Sequence, residues 1–481
     1  MQAGTLCDGC RLSMMSDYRI EKDSLGEVHV PSDALYGAQT QRAIDNFAIG
    51  DVAMPRRFIQ ALGMIKKSAA QANHALSILS EEKAKAIDEA ADQVVAGDLD
   101  EHFPVSIYQT GSGTSSNMNA NEVIAYVANR ILEKGSSGDQ RIHPNDDVNM
   151  SQSSNDVIPT AMHLSAALAI REELVPAMEA LRDELERKAN EFDDVVKSGR
   201  THLMDATPVR MGQEFSGYAS QISHALDRLK WAQSELSELA LGGTATGTGI
   251  NCPVGFAEKA IASINELTGL SFTEAENHFE AQAAKDGIVM VSGILNTLAV
   301  SLLKIANDIR HLSSGPTSGL AEIRLPAVQP GSSIMPGKVN PVMSEALMMV
   351  SARVMGHHTT ITVAGQHGNF QLNVMMPVMA HALLESIGLL ADGCETFRKK
   401  CLEGIEADRE RCRELLELNP AIATALNSVL GYDQASEVAK KAAKEKKSIR
   451  TVIEEMGLLD GHDLDAVLNV ENMTRPGIPD A

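Results

Sequence analysis

TAMHLSAALAIREELVPAMEALRDELERKANEFDDV, Thr160–Val195, decides the fold class. Apolar side chains return every third or fourth residue, as at Leu164, Ala167, Leu168 and Leu174. That spacing lays one apolar stripe along a helix. The stretches Pro208–Leu241, Ala281–Leu312, Pro341–Val363 and Val374–Cys401 carry the same pattern, so five long helices are expected. Thr207-Pro208 and Asn340-Pro341 read as helix starts, each a capping residue followed by proline at the first helical position. Several of these segments are rich in Ala, Met and Leu around much of their circumference, which predicts burial on more than one side. The expected architecture is all-α, with a long five-helix bundle at its centre that packs against further copies of the chain.

On either side of the bundle the texture changes. Residues 1–150 read as loops, short helices and polar stretches, and beyond about residue 409 short helices are broken at Asn419-Pro420 and Gly431. The expected division is an N-terminal extension, 1–16, an N-terminal domain, 17–150, the bundle, 151–409, and a small helical C-terminal domain, 410–481. The lysine run 440–447, KKAAKEKK, reads as a solvated helix face.

Composition agrees with a folded helical chain. Of 481 residues, 44% are hydrophobic and 22% charged, enough for a sizeable core, while aromatics are 4% and Met reaches 22. Strands favour aromatic and β-branched residues, so the balance leans to helix. A net charge of −22 excludes a general nucleic-acid binder, which needs a basic face. It also repels anions, so an anionic substrate needs local cations to collect it. No apolar run is read as long enough to span a bilayer, and the first fifteen residues lack the apolar core of a signal peptide. Cys7 and Cys10 form a CxxC with no second pair and no strand–helix context, so a metal or redox role is not expected. Cys252, Cys394, Cys401 and Cys412 show no pairing pattern, which points to a reducing, cytoplasmic compartment.

Chemistry concentrates in four polar segments. Gly331-Ser-Ser-Ile-Met-Pro-Gly-Lys-Val-Asn-Pro341 superficially resembles a phosphate loop, but five residues separate its glycines and Val339 follows the lysine. A P-loop needs four residues and then Ser or Thr, so that reading, and with it a nucleotide-dependent enzyme, fails. What remains is two hydroxyls, a lysine and an asparagine ahead of a helix start, where N–H groups can bind a carboxylate. An ordinary linker with a cap is the other reading. Thr110-Gly-Ser-Gly-Thr-Ser-Ser-Asn-Met-Asn119 and Ser151-Gln-Ser-Ser-Asn-Asp156 are dense in hydroxyls and amides, fit either for a carboxylate or for a polar turn. His202, in Gly199-Arg-Thr-His-Leu203, is an acid–base candidate or a structural histidine. No HxxxH or HExxH pattern is present, so no metal site is expected.

Gly331–Pro341 resembles the signature of the fumarase/aspartase superfamily, and the resemblance runs from about Asp17 to the end. Gly337 within the signature, Arg200-Thr-His-Leu203, Gly242-Gly-Thr-Ala245 and the SQSSND stretch are similar to the class II, iron-independent branch rather than to the aspartase branch. GSGTSSNMN and HPNDDVN are shared more widely.

The resemblance implies a homotetramer with a twenty-helix core and active sites shared between subunits. The implied activity is reversible hydration of fumarate to L-malate, a tricarboxylic acid cycle step that passes through an aci-carboxylate and requires no cofactor. It further implies Ser332 as the base at C3, and His202 paired with Glu345 on the acid side. Ser112, Gly113, Thr114, Ser153, Ser154, Asn155, Thr201, Ser333, Lys338, Val339 and Asn340 are implied to bind the substrate. His143, Pro144, Asn145 and Asp146 match a secondary carboxylate site. An arginine usual there is Gln140 in this chain, beside Arg141. The competing readings are an aspartate ammonia-lyase on the same scaffold, disfavoured by His202 and Gly337, and a helical protein that kept the scaffold without catalysis.

Overall fold

The computed structural model describes residues 17–135 and 141–477; Cys7, Cys10 and Gln140 lie outside the described residues. The fold is all-α. Its strands are short and form only two-stranded sheets among the described residues.

Helix Ser154–Ala169 starts six residues before the expected Thr160, because Ser153 caps it: the Asn155 N–H donates to Ser153 Oγ, and the Ser153 N–H donates to Asp156 Oδ1. A wide π turn, Ile170–Leu174, then leads into Val175–Glu191. Helices Val342–Gly365 and Met376–Lys400 match their expected spans within about two residues. Expected Ala281–Leu312 is two pieces. His278–Ala283 ends at an extended Ala284, and Asp286–Leu312 begins after it.

Three expectations are corrected. Thr207-Pro208 starts no helix: it lies in strand Met204–Arg210, paired antiparallel with Val196–Thr201, and the helix Met211–Glu235 follows. Pro208 is tolerated because a two-stranded sheet is all edge and the ladder slips between Ser198 and Gly199. The first 150 residues are not mainly irregular. They hold long helices at Arg56–Ala75, Glu81–Ala96 and Thr114–Gly135. Arg56–Ala75 buries Phe58, Ile59, Leu62, Met64 and Ile65, and its small residues allow close contact with Glu81–Ala96: a Cβ at Gly63 would stand 3.0 Å from Val95 Cγ2. The third correction concerns membrane-length helices. Asp286–Leu312 is long and apolar enough to cross a bilayer by length and composition, with half of its most apolar window buried inside the chain.

The described residues separate into two units. One contains the chain up to Leu168 with Ser234–Val289 and Thr359–Glu385. In it the buried Glu122 carboxylate receives the Gly37, Gln39 and Thr40 N–H groups and the Thr40 hydroxyl, at 2.6–3.0 Å, and so satisfies the start of helix Ala38–Asn46. The other unit contains Ala169–Gln233, Met290–His358 and Ser386 onward. Its C-terminal part has a core of its own from Ile422, Leu426, Val438, Ile449, Val452 and Val467. The lysine run lies on helix Tyr432–Glu445 and just beyond it. Lys440, Lys444 and Lys446 are exposed there, as a solvated face requires.

Candidate active site

In the first unit three polar segments meet. Gly113 must be glycine: its φ is +74° and a Cβ would lie 2.9 Å from Ile158. Ser112 Oγ and Thr114 Oγ1 share a hydrogen bond of 2.8 Å at the start of helix Thr114–Gly135. One turn on, Asn117 Nδ2 donates to Ser154 Oγ at 3.0 Å. Asn155 Nδ2 donates to the Ala245 carbonyl at 2.8 Å. The buried Asp156 carboxylate gathers N–H groups from Ser153, Gly242 and Thr244 at 2.9–3.0 Å. Burial raises its pKa, against the pull of those three donors. The expected residues Ser112, Gly113, Thr114, Ser153, Ser154 and Asn155 are therefore brought together at two helix starts, where N–H groups and helix dipoles favour an anion.

His143 to Asp146 stand apart from that cluster. His143 Nδ1 accepts the Asp146 N–H at 3.1 Å and starts the turn Pro144–Val148. With Arg19, Arg130 and Arg141, His143, Pro144 and Asn145 line a cavity of about 910 Å³.

In the second unit Thr201 ends one strand of the hairpin, and His202 and Leu203 are the two residues of its turn, at φ +57° and +60°. Both central angles are positive, the geometry of a type I′ turn, here without Gly or Asn. All three side chains are exposed. Beneath the turn, Arg200 donates both guanidinium nitrogens to the fully buried Glu322, at 2.8 Å each. Buried Lys197 reaches Glu322 at 3.1 Å and Glu214 at 2.9 Å.

Gly331–Asn340 closes on itself. Asn340 Nδ2 donates to the Gly331 carbonyl at 2.6 Å, and the Lys338 N–H donates to Met335 O. Ser332 Oγ accepts the N–H groups of Ile334 and Met335, at 3.2 and 3.0 Å. Two donors aimed at one hydroxyl oxygen favour its deprotonated form. Ser333, Lys338 and Val339 are exposed on the same loop, and Glu345 is exposed in the first turn of Val342–Gly365. No hydrogen bond or ion pair joins His202 to Glu345 among the described residues.

Sequence reading missed Lys66. Its ammonium is fully buried in helix Arg56–Ala75 and donates to Asn149 Oδ1 and Gln152 Oε1, at 2.9 Å each. The available signal was a lysine pair inside an otherwise apolar helical stretch, LGMIKKSAA. No cluster of three or more His, Cys, Asp or Glu arranged to hold a metal occurs among the described residues.

A family model described as Lyase matches residues 26–356, a span that holds these hydroxyl and amide segments and the closed Gly-Ser-Ser loop. A second, Fumarase C C-terminus, matches residues 422–475. A class II fumarate hydratase of Ralstonia nicotianae is 51% identical over 456 residues, 95% of this chain and 99% of that protein. The crystal structure of class II fumarase from Schistosoma mansoni superposes with a TM-score of 0.92 at 40% identity, covering 95% of this chain and 99% of that one. A fumarate lyase:delta crystallin from Brucella melitensis gives 0.91 at 45% identity, covering 96% and 100%. The chain belongs to the class II fumarate hydratase family within these lyases.

Proposed function

We propose that the chain catalyses the reversible hydration of fumarate to L-malate, with Ser332 as base and His202 as acid. The observation that carries the base is the pair of N–H groups, from Ile334 and Met335, that point at Ser332 Oγ. A serine hydroxyl is a weak base at its ordinary pKa and works only where its alkoxide is stabilised. In the dehydration direction the alkoxide takes the C3 proton, and the electron pair of that C–H bond moves onto the adjacent carboxylate as an aci-carboxylate. It then returns to form the C2–C3 double bond while the C2–O bond breaks. The departing hydroxyl takes a proton from His202, held by Glu345, and leaves as water. Atoms and charge balance without an electron acceptor.

The extra negative charge in the intermediate needs donors that bind it better than the substrate. Lys338, Asn340 and the N–H groups at the start of Val342–Gly365 are of that type. Ser112, Gly113, Thr114, Ser153, Ser154, Asn155, Thr201, Ser333 and Val339 complete the carboxylate contacts. His143, Pro144, Asn145 and Asp146 are proposed as a secondary carboxylate site; Arg19, Arg130 and Arg141 in the cavity that the first three line are the cations available to it, set against Glu21, Asp23 and Glu133 in the same lining. A homotetramer with shared sites and a twenty-helix core belongs to the same proposal: it would cover the apolar Asp286–Leu312 helix and bring His202 to a Glu345. The division at residues 16, 150 and 409 is also proposed, supported by the separate core of the C-terminal part. So is a cytoplasmic location, supported by four free cysteines among the described residues.

The test is the ultraviolet absorbance of fumarate formed from L-malate in the presence of EDTA, with aspartate in a parallel cuvette. Turnover of malate that survives EDTA supports the proposal. Turnover of aspartate alone would move the chain to the ammonia-lyases.

A further inference from the structure

Lys66 occupies a position that the proposed chemistry does not use. Its side chain is fully buried, and the partners of its ammonium are two neutral amide oxygens, on Asn149 and Gln152. A buried ammonium is costly unless its surroundings make use of it. Asp156 opposes its charge only through space, because Asp156 spends its oxygens on three backbone N–H groups. Burial lowers the Lys66 pKa to about 7.

Following the donors outward from Lys66 leads to the carboxylate cluster. The Lys66 ammonium is donor-only, and the neutral amine still has an N–H for each of the two amide oxygens it faces, so in either form it fixes which end of the Asn149 amide faces it. With Asn149 Oδ1 turned to Lys66, Asn149 Nδ2 donates to the Gln152 carbonyl at 3.2 Å, and Oδ1 also receives Asn117 Nδ2 at 3.2 Å. That contact fixes the Asn117 amide in turn. The same Nδ2 donates to Ser154 Oγ at 3.0 Å, while Asn117 Oδ1 is buried without a partner. A flipped Asn117 would let its oxygen accept from Ser154, but would set that oxygen against Asn149 Oδ1. Ser154 Oγ is thereby held as an acceptor inside the network, and its own O–H is left to donate.

We infer that Lys66 is a positioning residue that sets the hydrogen-bond direction of the Asn149–Asn117–Ser154 chain, so that Ser154 presents a donor to a substrate carboxylate. The inference rests on the proposed placement of Ser154 in the substrate site. Lys66 touches no substrate. It acts through three residues, and its effect falls on binding rather than on proton transfer.

The experiment is a double-mutant cycle read by calorimetric binding of succinate, a four-carbon dicarboxylate that does not react, to the full-length protein. Lys66→Met removes every donor, Lys66→Gln keeps one without the charge, and Ser154→Ala removes the terminal hydroxyl. Losing one hydrogen bond to a carboxylate weakens binding roughly ten- to a hundredfold, and Lys66→Met is expected in that range. Lys66→Gln is expected within about threefold of wild type, because a donor is still present. The Lys66→Met/Ser154→Ala double variant is expected to bind no worse than the weaker single variant, since both changes remove one interaction. Losses that multiply in the double variant, or a Lys66→Met protein that binds as wild type does, would overturn the inference. If Lys66→Met does not fold, the same cycle is run with Asn117→Leu in its place. Wild-type turnover of malate is measured in parallel: its absence would defeat the proposed activity, whereas the succinate cycle judges Lys66 separately.

Discussion

The backbone of Gly331 passes so close to Lys338 that a Cβ at position 331 would stand 2.0 Å from the Lys338 carbonyl oxygen. No side chain fits there, so the two ends of the Ser332 loop can be joined only through glycine. Gly331→Ala is expected to open the ring between Gly331 and Asn340 and shift Ser332 relative to the Ile334 and Met335 N–H groups. Misplacing a reacting group by about 1 Å costs roughly a hundredfold in rate. The loop is largely exposed, so the thermal midpoint is expected to stay near wild type while malate turnover falls by at least that factor. A variant of full activity would show that the closed ring is not required.

The hairpin turn separates stability from chemistry at neighbouring residues. His202 and Leu203 both hold left-handed angles, which cost a non-glycine residue roughly 1–2 kcal/mol each. Leu203→Gly is expected to raise unfolding free energy by about 1 kcal/mol, read from the denaturant midpoint. His202→Asn keeps a residue that tolerates this angle but carries no acid. It is expected to be at least as stable as wild type and to lose roughly a hundred- to ten-thousandfold in kcat. Loss of stability in His202→Asn would instead mark the histidine as structural.

Glu322 is the point at which two cations of the same unit meet, Arg200 under the His202 turn and Lys197 in the strand. Removing its charge leaves Arg200 and buried Lys197 opposed mainly by Glu214. Burial pushes the Glu214 carboxyl up, and Lys197 pulls it back. Breaking a buried ion pair by removing one partner costs about 3–5 kcal/mol. Glu322→Gln is therefore expected to lower the unfolding free energy, read from the denaturant midpoint, by that amount. An unfolding free energy within about 1 kcal/mol of wild type would mean that the cluster is not a unit.

Val175–Glu191 is legible because Met178, Leu181 and Leu185 contrast with Glu and Arg on the opposite face, and Ser154–Ala169 because its sequence is apolar nearly all round. The helices before residue 150 carry the periodic signal as well, with Phe58, Leu62, Ile65 and Ala69 at helical spacing in Arg56–Ala75, but the polar stretches at 110–119 and 143–156 dominate the reading of that part of the chain. Thr207-Pro208 carries a valid helix-start signal, and the antiparallel pairing with Val196–Thr201 overrides it. For the site, the hydroxyl and amide segments stood out because such residues seldom cluster without polar work to do. Lys66 did not stand out, because a lysine pair in an apolar helix reads as a surface feature until the Asn149 and Gln152 oxygens are seen beside Lys66.

Lys66 also predicts how stability responds to alkali. Its folded pKa of about 7 lies below the ordinary 10.5, so between those values the unfolded chain holds a proton that the folded chain does not. Unfolding then takes up a proton, and the free energy of unfolding from this group rises with pH across that window and is lost again as pH falls toward 7. The full span is on the order of a few kcal/mol. Denaturant midpoints of wild type and Lys66→Met, measured from pH 7 to pH 10, are expected to converge or cross: the variant lacks the rising contribution and is relatively most stable at the acid end. Lys285, also lowered by burial, to about 8, is present in both proteins and cancels in the difference. Parallel curves would show that Lys66 keeps its proton throughout, and that the amide oxygens of Asn149 and Gln152 offset its burial unaided.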